Sequence, residues 1–254
     1  MTETAPPGAH PWRIQGPVYG TAFFTGNLFP MSHVVMPLWA AIELDASLFM
    51  VGVIIASRQL LPVTMSIHGG ALLDRFGPRR VIMVLGALGA LSTAMVPFFP
   101  FIWATIALQI VIGFCETTNW IGVQSAVGTM LKGQAVFAGR MTASARAGGF
   151  VGPLMVGIAY ESMGPVGGFL CFGGWTLFGA FGAMFLPRHV AEPVSVAPNR
   201  GETEKPARTD VLPSIADYRE TFRLMLLPAI ALVIAATFMR QTGSGVQASF
   251  YSVW

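Results

Sequence analysis

The stretch Gly69–Arg80, GGALLDRFGPRR, lies between two long apolar runs, and its reading decides the fold. A glycine pair ends one run, Asp74-Arg75 follows, Gly77-Pro78 makes a turn, and Arg79-Arg80 open the next run. Both flanks are too long and too apolar for a strand, so a soluble strand–helix turn with a chance Asp-Arg pair is the weaker reading. A tight charged turn between two membrane-length segments keeps its arginines in water, and by the positive-inside rule that water is cytoplasmic.

Composition supports a lipid solvent. The 254 residues are 54% hydrophobic and only 11% charged, whereas soluble domains carry roughly a quarter charged residues. The net charge of +3 sits in short loops and one linker, with no basic face interleaved with aromatics, which reads as membrane orientation and not nucleic-acid binding. Cys115 and Cys171 each lie inside an apolar run without metal-ligand spacing, so they read as buried thiols, and no metal site is expected. No phosphate-binding glycine motif is present, so no cofactor, ATP hydrolysis or redox catalysis is expected, and the chain is not read as an enzyme.

An α-helix needs ~20 apolar residues to cross the ~30 Å hydrocarbon layer. On that ruler crossings run about 18–42, 48–68, 81–99, 101–127, 141–160 and 167–186, with a seventh from about 224. The expected organisation is a cytoplasmic tail over 1–17, a six-helix bundle over 18–187, a proline-rich charged linker over 188–223, and helix seven over 224–254. The loops after crossings one, three and five hold no Lys or Arg. The opposite side holds Arg13, the arginines of the Gly69–Arg80 stretch, Lys132, Arg140 and the linker's basic residues, which places the N-terminus in the cytoplasm.

The chain also carries an internal match at an offset of 87 residues. Ala56-Ser57 corresponds to Ala143-Ser144, and Gly70, Asp74 and Gly77-Pro78 to Gly157, Glu161 and Gly164-Pro165. Crossings two and five thus end in the same G-x-x-x-acid-x-x-G-P turn, and the shared order favours an inverted repeat over a coincidence of glycines.

The pattern G-x-x-x-D-R-x-G-x-R-R, carried here by Gly70, Asp74, Arg75, Gly77, Arg79 and Arg80, resembles the signature loop between helices two and three of the major facilitator superfamily. The resemblance implies an all-α membrane protein, a bundle whose six-span N-terminal half is built from 3+3 inverted repeats. It also implies two six-helix halves joined by a linker. The chain stops at Trp254, so a partial second half is expected. Crossings one, four and seven would line the cavity, and crossings three and six, which lack ionisable residues, would face lipid. Two family patterns fit incompletely. Proton-driven exporters often carry an Arg four residues before a glycine in crossing four, and here Gln109 precedes Gly113. The antiporter pattern of crossing five is matched at Gly148, Gly152, Pro153 and Gly157, with Val156 replacing one glycine; packing and a hinge are both open readings.

Candidate site residues follow from polarity inside the crossings. On crossing four, Gln109, Gly113, Glu116, Trp120 and Gln124 recur at steps of three and four and so share a face; Asn119 joins this polar set. Crossing one offers Thr21, Thr25, Ser32 and Trp39 on one face, with Asn27 and His33 elsewhere. A charge at the bilayer centre costs at least ~2.5–3.5 kcal/mol, so Arg58, Glu116, Arg146 and Arg240 should face a cavity or one another. At ~1.5 Å per residue, Arg58 and Glu116 reach similar depths, and either a structural ion pair or a transport role is open. The leading reading is a secondary transporter of a small solute, proton-coupled and working by alternating access, with three intramembrane arginines against one Glu leaning towards an anionic or polar cargo. A seven-span receptor and a non-transporting half-transporter scaffold are the alternatives. The expected setting is the plasma (inner) membrane of a prokaryote, with a monomer when full length, partnered by substrate, H+ and the lipid bilayer.

Overall fold

The computed structural model describes residues 12–187, 219, 223, 226–228 and 230–239. Every regular element among the described residues is helical. That is the outcome a lipid solvent dictates, because backbone groups without water must bond within their own segment. The bundle comprises α1 (Trp12–Thr25), α2 (Leu28–Leu38) running into a π-helical turn (Trp39–Glu43), α3 (Leu48–Ser57), α4 (Leu60–Met95), α5 (Ile102–Met130) and α6 (Ala135–Ala183). A second unit, Thr203–Trp254, includes a short apolar helix, α7 (Ile230–Met239).

Among the described residues, three helical stretches are long and apolar enough to cross a membrane: Leu48–Phe98, Ile102–Met130 and Ala135–Ala183. The last is divided by one residue, and the first by the α3–α4 interruption at Arg58-Gln59, by Met65 (φ −119°, ψ 18°) and by Gly77. Gly77 (φ 77°, ψ 153°) interrupts α4, and Gly164 (φ 70°, ψ −169°) interrupts α6. Only glycine takes a positive φ without strain, and the proline that follows each one steers the preceding residue away from helical ψ. These two joints are 87 residues apart, as are the starts of α3 at Leu48 and α6 at Ala135. Close contacts follow the same offset. A Cβ on Gly26 would press on Ala145, and one on Gly113 would run into the backbone of Arg58, the repeat mates of the first pair. Gly86 and Gly173 are also mates at this offset and both sit at close helix contacts, on Ala180 and on Ala90 and Ala94, although those partners are not mates. The 3+3 repeat is therefore visible in backbone breaks and in helix-to-helix seams.

Three sequence expectations are corrected. The Gly69–Arg80 stretch, read as a tight turn between crossings ending near 68 and starting near 81, is narrower still: helix continues through Phe76 and resumes at Pro78, with Gly77 alone departing. A helix can run past the lipid boundary because its backbone bonds are as well satisfied in water as in lipid, so hydropathy marks the membrane edge and not the helix end. For the same reason α1 starts at Trp12, inside the stretch read as an N-terminal tail. Crossing one is not continuous either; it breaks at Gly26-Asn27, where Asn27 takes φ −135° and ψ 10°. Beside this break the Phe23 carbonyl accepts from Asn27 Nδ2, and Trp175 Nε1 donates to the Phe24 carbonyl (3.1 Å) and to Asn27 Oδ1 (2.9 Å). Side-chain donors thus satisfy polar groups next to the interruption.

The interior has two apolar clusters. One gathers Leu28, Val35, Trp39, Ile54, Ile112 and Phe172. The other gathers Val18, Ala22, Ile82, Val123, Phe137 and Leu186. Along α5, Ile112 belongs to the first and Val123 to the second, so residues between them lie at the junction of the two clusters. The outer surface of the bundle is apolar, with Phe150, Leu154, Ile158, Leu177 and Phe178 all exposed.

Candidate functional site

At that junction a cation is fully enclosed. Arg58 follows the last turn of α3, where the helix is interrupted before α4 begins at Leu60, and it is only 2% exposed. Its backbone sits against Gly113 of α5, a position where any Cβ would collide with the Arg58 carbonyl. That close approach lets the guanidinium reach two helices, α2 and α5. Nη1 donates to Ser32 Oγ on α2 (2.6 Å) and to Gln109 Oε1 on α5 (3.4 Å). Nη2 meets Glu116 Oε2 as an ion pair. The site therefore ties crossings one, two and four together through one side chain.

An arginine cannot lose its proton to escape burial, so the carboxylate is what makes a 2%-exposed guanidinium tolerable here. Satisfaction is incomplete on both the donor and the acceptor side. Glu116 Oε1, Gln109 Nε2 and both polar atoms of the Asn119 amide are buried without a hydrogen-bond partner among the described residues. Glu116 keeps 11% of its side chain exposed, and so has an opening that Arg58 lacks.

The remaining candidates divide. Gln109 and Asn119 are buried, Trp120 is half-buried against Gly26, and Gln124 is exposed, so the stripe on α5 grades from interior to surface. Arg146 is exposed on α6 and makes no ion pair among the described residues, so the structure does not bring it to the Arg58–Glu116 pair. His33 lies with its ring tilted against Phe29, four residues earlier on α2, and its Nδ1 lies 2.9 Å from the Phe29 carbonyl, a contact within one helix and not of the buried site. Thr21 and Thr25 face α6, packing against Gly182 and Gly179 instead of lining a space. Gly148 and Gly152 make close contact with Phe23, Asn27 and Met31 of crossing one, while Gly157 touches Val34 and Pro153 is half-buried. Asp74 and Arg75 are exposed, and neither forms an ion pair among the described residues; Asp74 lies within helical backbone and caps no helix there. Gly70 has open space around it, and Arg79 and Arg80 flank the Gly77 joint. Arg240 and the linker, apart from residues 219 and 223, lie outside the described residues.

Sequence reasoning did not single out Ser32 or Trp175 as site-supporting residues. Ser32 was legible only as one polar position on crossing one, and Trp175 only as an aromatic in an otherwise apolar run.

An apolar-surfaced helical bundle built on an inverted repeat, with a buried charge pair in its interior, defines the class: an integral membrane protein of the transporter type. The chain belongs to the Major Facilitator Superfamily, whose family model matches residues 18–253. The family consists of membrane transporters that are generally without enzymatic activity. No curated protein and no solved structure matches the chain.

Proposed function

We propose that the protein is a secondary active transporter that moves a small solute by alternating access, with Glu116 as the proton-carrying group. The observation that carries this reading is the Arg58–Glu116 pair, buried and shared among crossings one, two and four. Burial favours a neutral carboxyl and a neighbouring arginine favours a charged one. A Glu that meets Arg58 in one conformation and water in the other therefore changes its proton occupancy as the bundle switches sides. Rearranging crossing one against crossing two would strain the Ser32 bond first, which couples that motion to the guanidinium. The cargo is read as anionic or polar, because Arg146 remains an unpaired cation on α6 among the described residues. The N-terminus is read as cytoplasmic, with Asp74, Arg75, Arg79 and Arg80 serving as a conformational latch at the inner mouth, and the protein as a monomer in the plasma (inner) membrane of a prokaryote.

A purely structural pair is the second reading, favoured by the near-complete enclosure of Arg58. Glu116→Gln in the full-length protein, reconstituted in liposomes, separates the two. A coupling role predicts that substrate exchange persists while uphill accumulation driven by a pH gradient disappears. Accumulation at the wild-type level by this variant would refute coupling through Glu116.

A further inference from the structure

The end of the bundle that carries the Gly77 joint holds two adjoining cavities of opposite chemistry. One, of about 510 Å³, is lined by Asp74, Arg75, Arg79 and Arg80, with Met130 from the end of α5 and Pro187 beyond α6 as its far wall. The other, of about 400 Å³, is walled by Leu72, Val81, Val84 and Leu85. Phe76, Arg80 and Met83 line both, so the two cavities meet along one edge.

We propose that this composite groove seats an anionic phospholipid, with the phosphate among Arg75, Arg79 and Arg80 and one acyl chain against the apolar wall. Three guanidiniums face a single carboxylate, and none of the three forms an ion pair among the described residues. The planar guanidinium fork matches phosphate oxygens in pairs. Arg75 lies over the Phe76 ring at 5.3 Å, a contact that orients one of the three donors. The groove lies where crossings two and three meet and where α5 ends, which is the height of a headgroup. From there the apolar wall follows α4 back into the bundle, and Val84, 67% exposed, opens it to the surrounding hydrocarbon. Basic pockets between transmembrane helices at this height suit anionic headgroups. A free phosphate would use the polar cavity alone, whereas a phospholipid covers both. The inference does not depend on proton coupling through Glu116, although it uses the arginines read above as the latch, Arg75, Arg79 and Arg80.

The test is thermal unfolding of the purified full-length protein in neutral detergent, titrated in parallel with dioleoylphosphatidylglycerol, dioleoylphosphatidylcholine and glycerol 1-phosphate. The expected result is saturable stabilisation by phosphatidylglycerol, with little from phosphatidylcholine and much weaker binding of glycerol 1-phosphate. Removing two charges with Arg79→Gln and Arg80→Gln together should weaken phosphatidylglycerol about 25-fold, at about fivefold per guanidinium. The double lysine variant should retain most of the affinity. Val84→Gln should weaken the lipid and leave glycerol 1-phosphate unchanged. Equal stabilisation by the two lipids would overturn the proposal, as would glycerol 1-phosphate binding as tightly as phosphatidylglycerol, which would mark a site for free anions. Wild-type lipid affinity in the double Gln variant would do the same. If that variant fails to fold, the comparison of the three ligands on the unchanged protein decides alone.

Discussion

Removing one partner of the Arg58–Glu116 pair is not equivalent to removing the other, and the difference is measurable. Breaking a buried ion pair from one side costs on the order of 3–5 kcal/mol, because the remaining charge stays buried and uncompensated. In Glu116→Leu the survivor is Arg58, 2% exposed, which has no neutral form to fall back on. It keeps only Ser32 at 2.6 Å and Gln109 at 3.4 Å, both neutral acceptors. The full loss of about 3–5 kcal/mol is expected. In Arg58→Met the survivor is a carboxyl that can take up a proton, so a smaller loss is expected, dominated by unpaired acceptors at about 1–3 kcal/mol. The double variant Arg58→Met/Glu116→Leu leaves no charge, and replacing both partners with apolar groups is often close to neutral. Its stability should return to within about 1–2 kcal/mol of the wild type, well above that of Glu116→Leu. Chemical and thermal unfolding of the four proteins in one detergent closes the cycle. If the losses of the two single variants simply add in the double variant, the two side chains do not stabilise each other, and the reasoning fails.

Two further outcomes follow from the geometry. Single cysteines at Ser47 and Gly164 should react with an impermeant thiol reagent in intact cells, and one at Gly77 only after the membrane is opened; external labelling at Gly77 would reverse the proposed orientation. Asp74→Asn should lower transport rate several-fold with substrate affinity nearly unchanged, since Asp74 is exposed at the end of the bundle; a large loss of affinity at normal turnover, read from concentration-dependent uptake, would move it into the binding site.

The turns of the fold were legible because glycine and proline act locally. The Gly77-Pro78 and Gly164-Pro165 dipeptides announce a break wherever they fall, and the backbone breaks at both. Helix ends were less legible. Leu73 to Phe76 are polar enough in context to read as loop, yet they remain helical, since nothing there denies the backbone its own hydrogen bonds. The Arg58–Glu116 pairing could be argued from depth alone, by counting the rise of two helices from opposite ends. Its third member could not. Ser32 reaches Arg58 only because Gly113 lets α3 and α5 approach within backbone contact and because crossing one breaks at Gly26-Asn27. Such contacts depend on the relative rotation of three helices, which no single periodicity encodes. The same holds for Arg146, whose charge marked it as noteworthy while its exposed placement depends on which side of α6 meets crossing one.

The repeat-mated seams have a consequence for how the charge pair can be studied. Gly26 against Ala145 and Gly113 against Arg58 are two copies of one joint, of which only the second is electrified. In the first copy Ala145 stands where Arg58 stands in the other, Phe29 where Glu116 stands, and Ala22 where Gln109 stands. One seam holds the charges while its mate holds only packing. The bundle thus contains its own uncharged reference, a joint of matching contacts without the ions. A graft of Arg at 145 and Glu at 29 would ask whether that scaffold alone is enough to house a second pair facing the opposite side of the membrane.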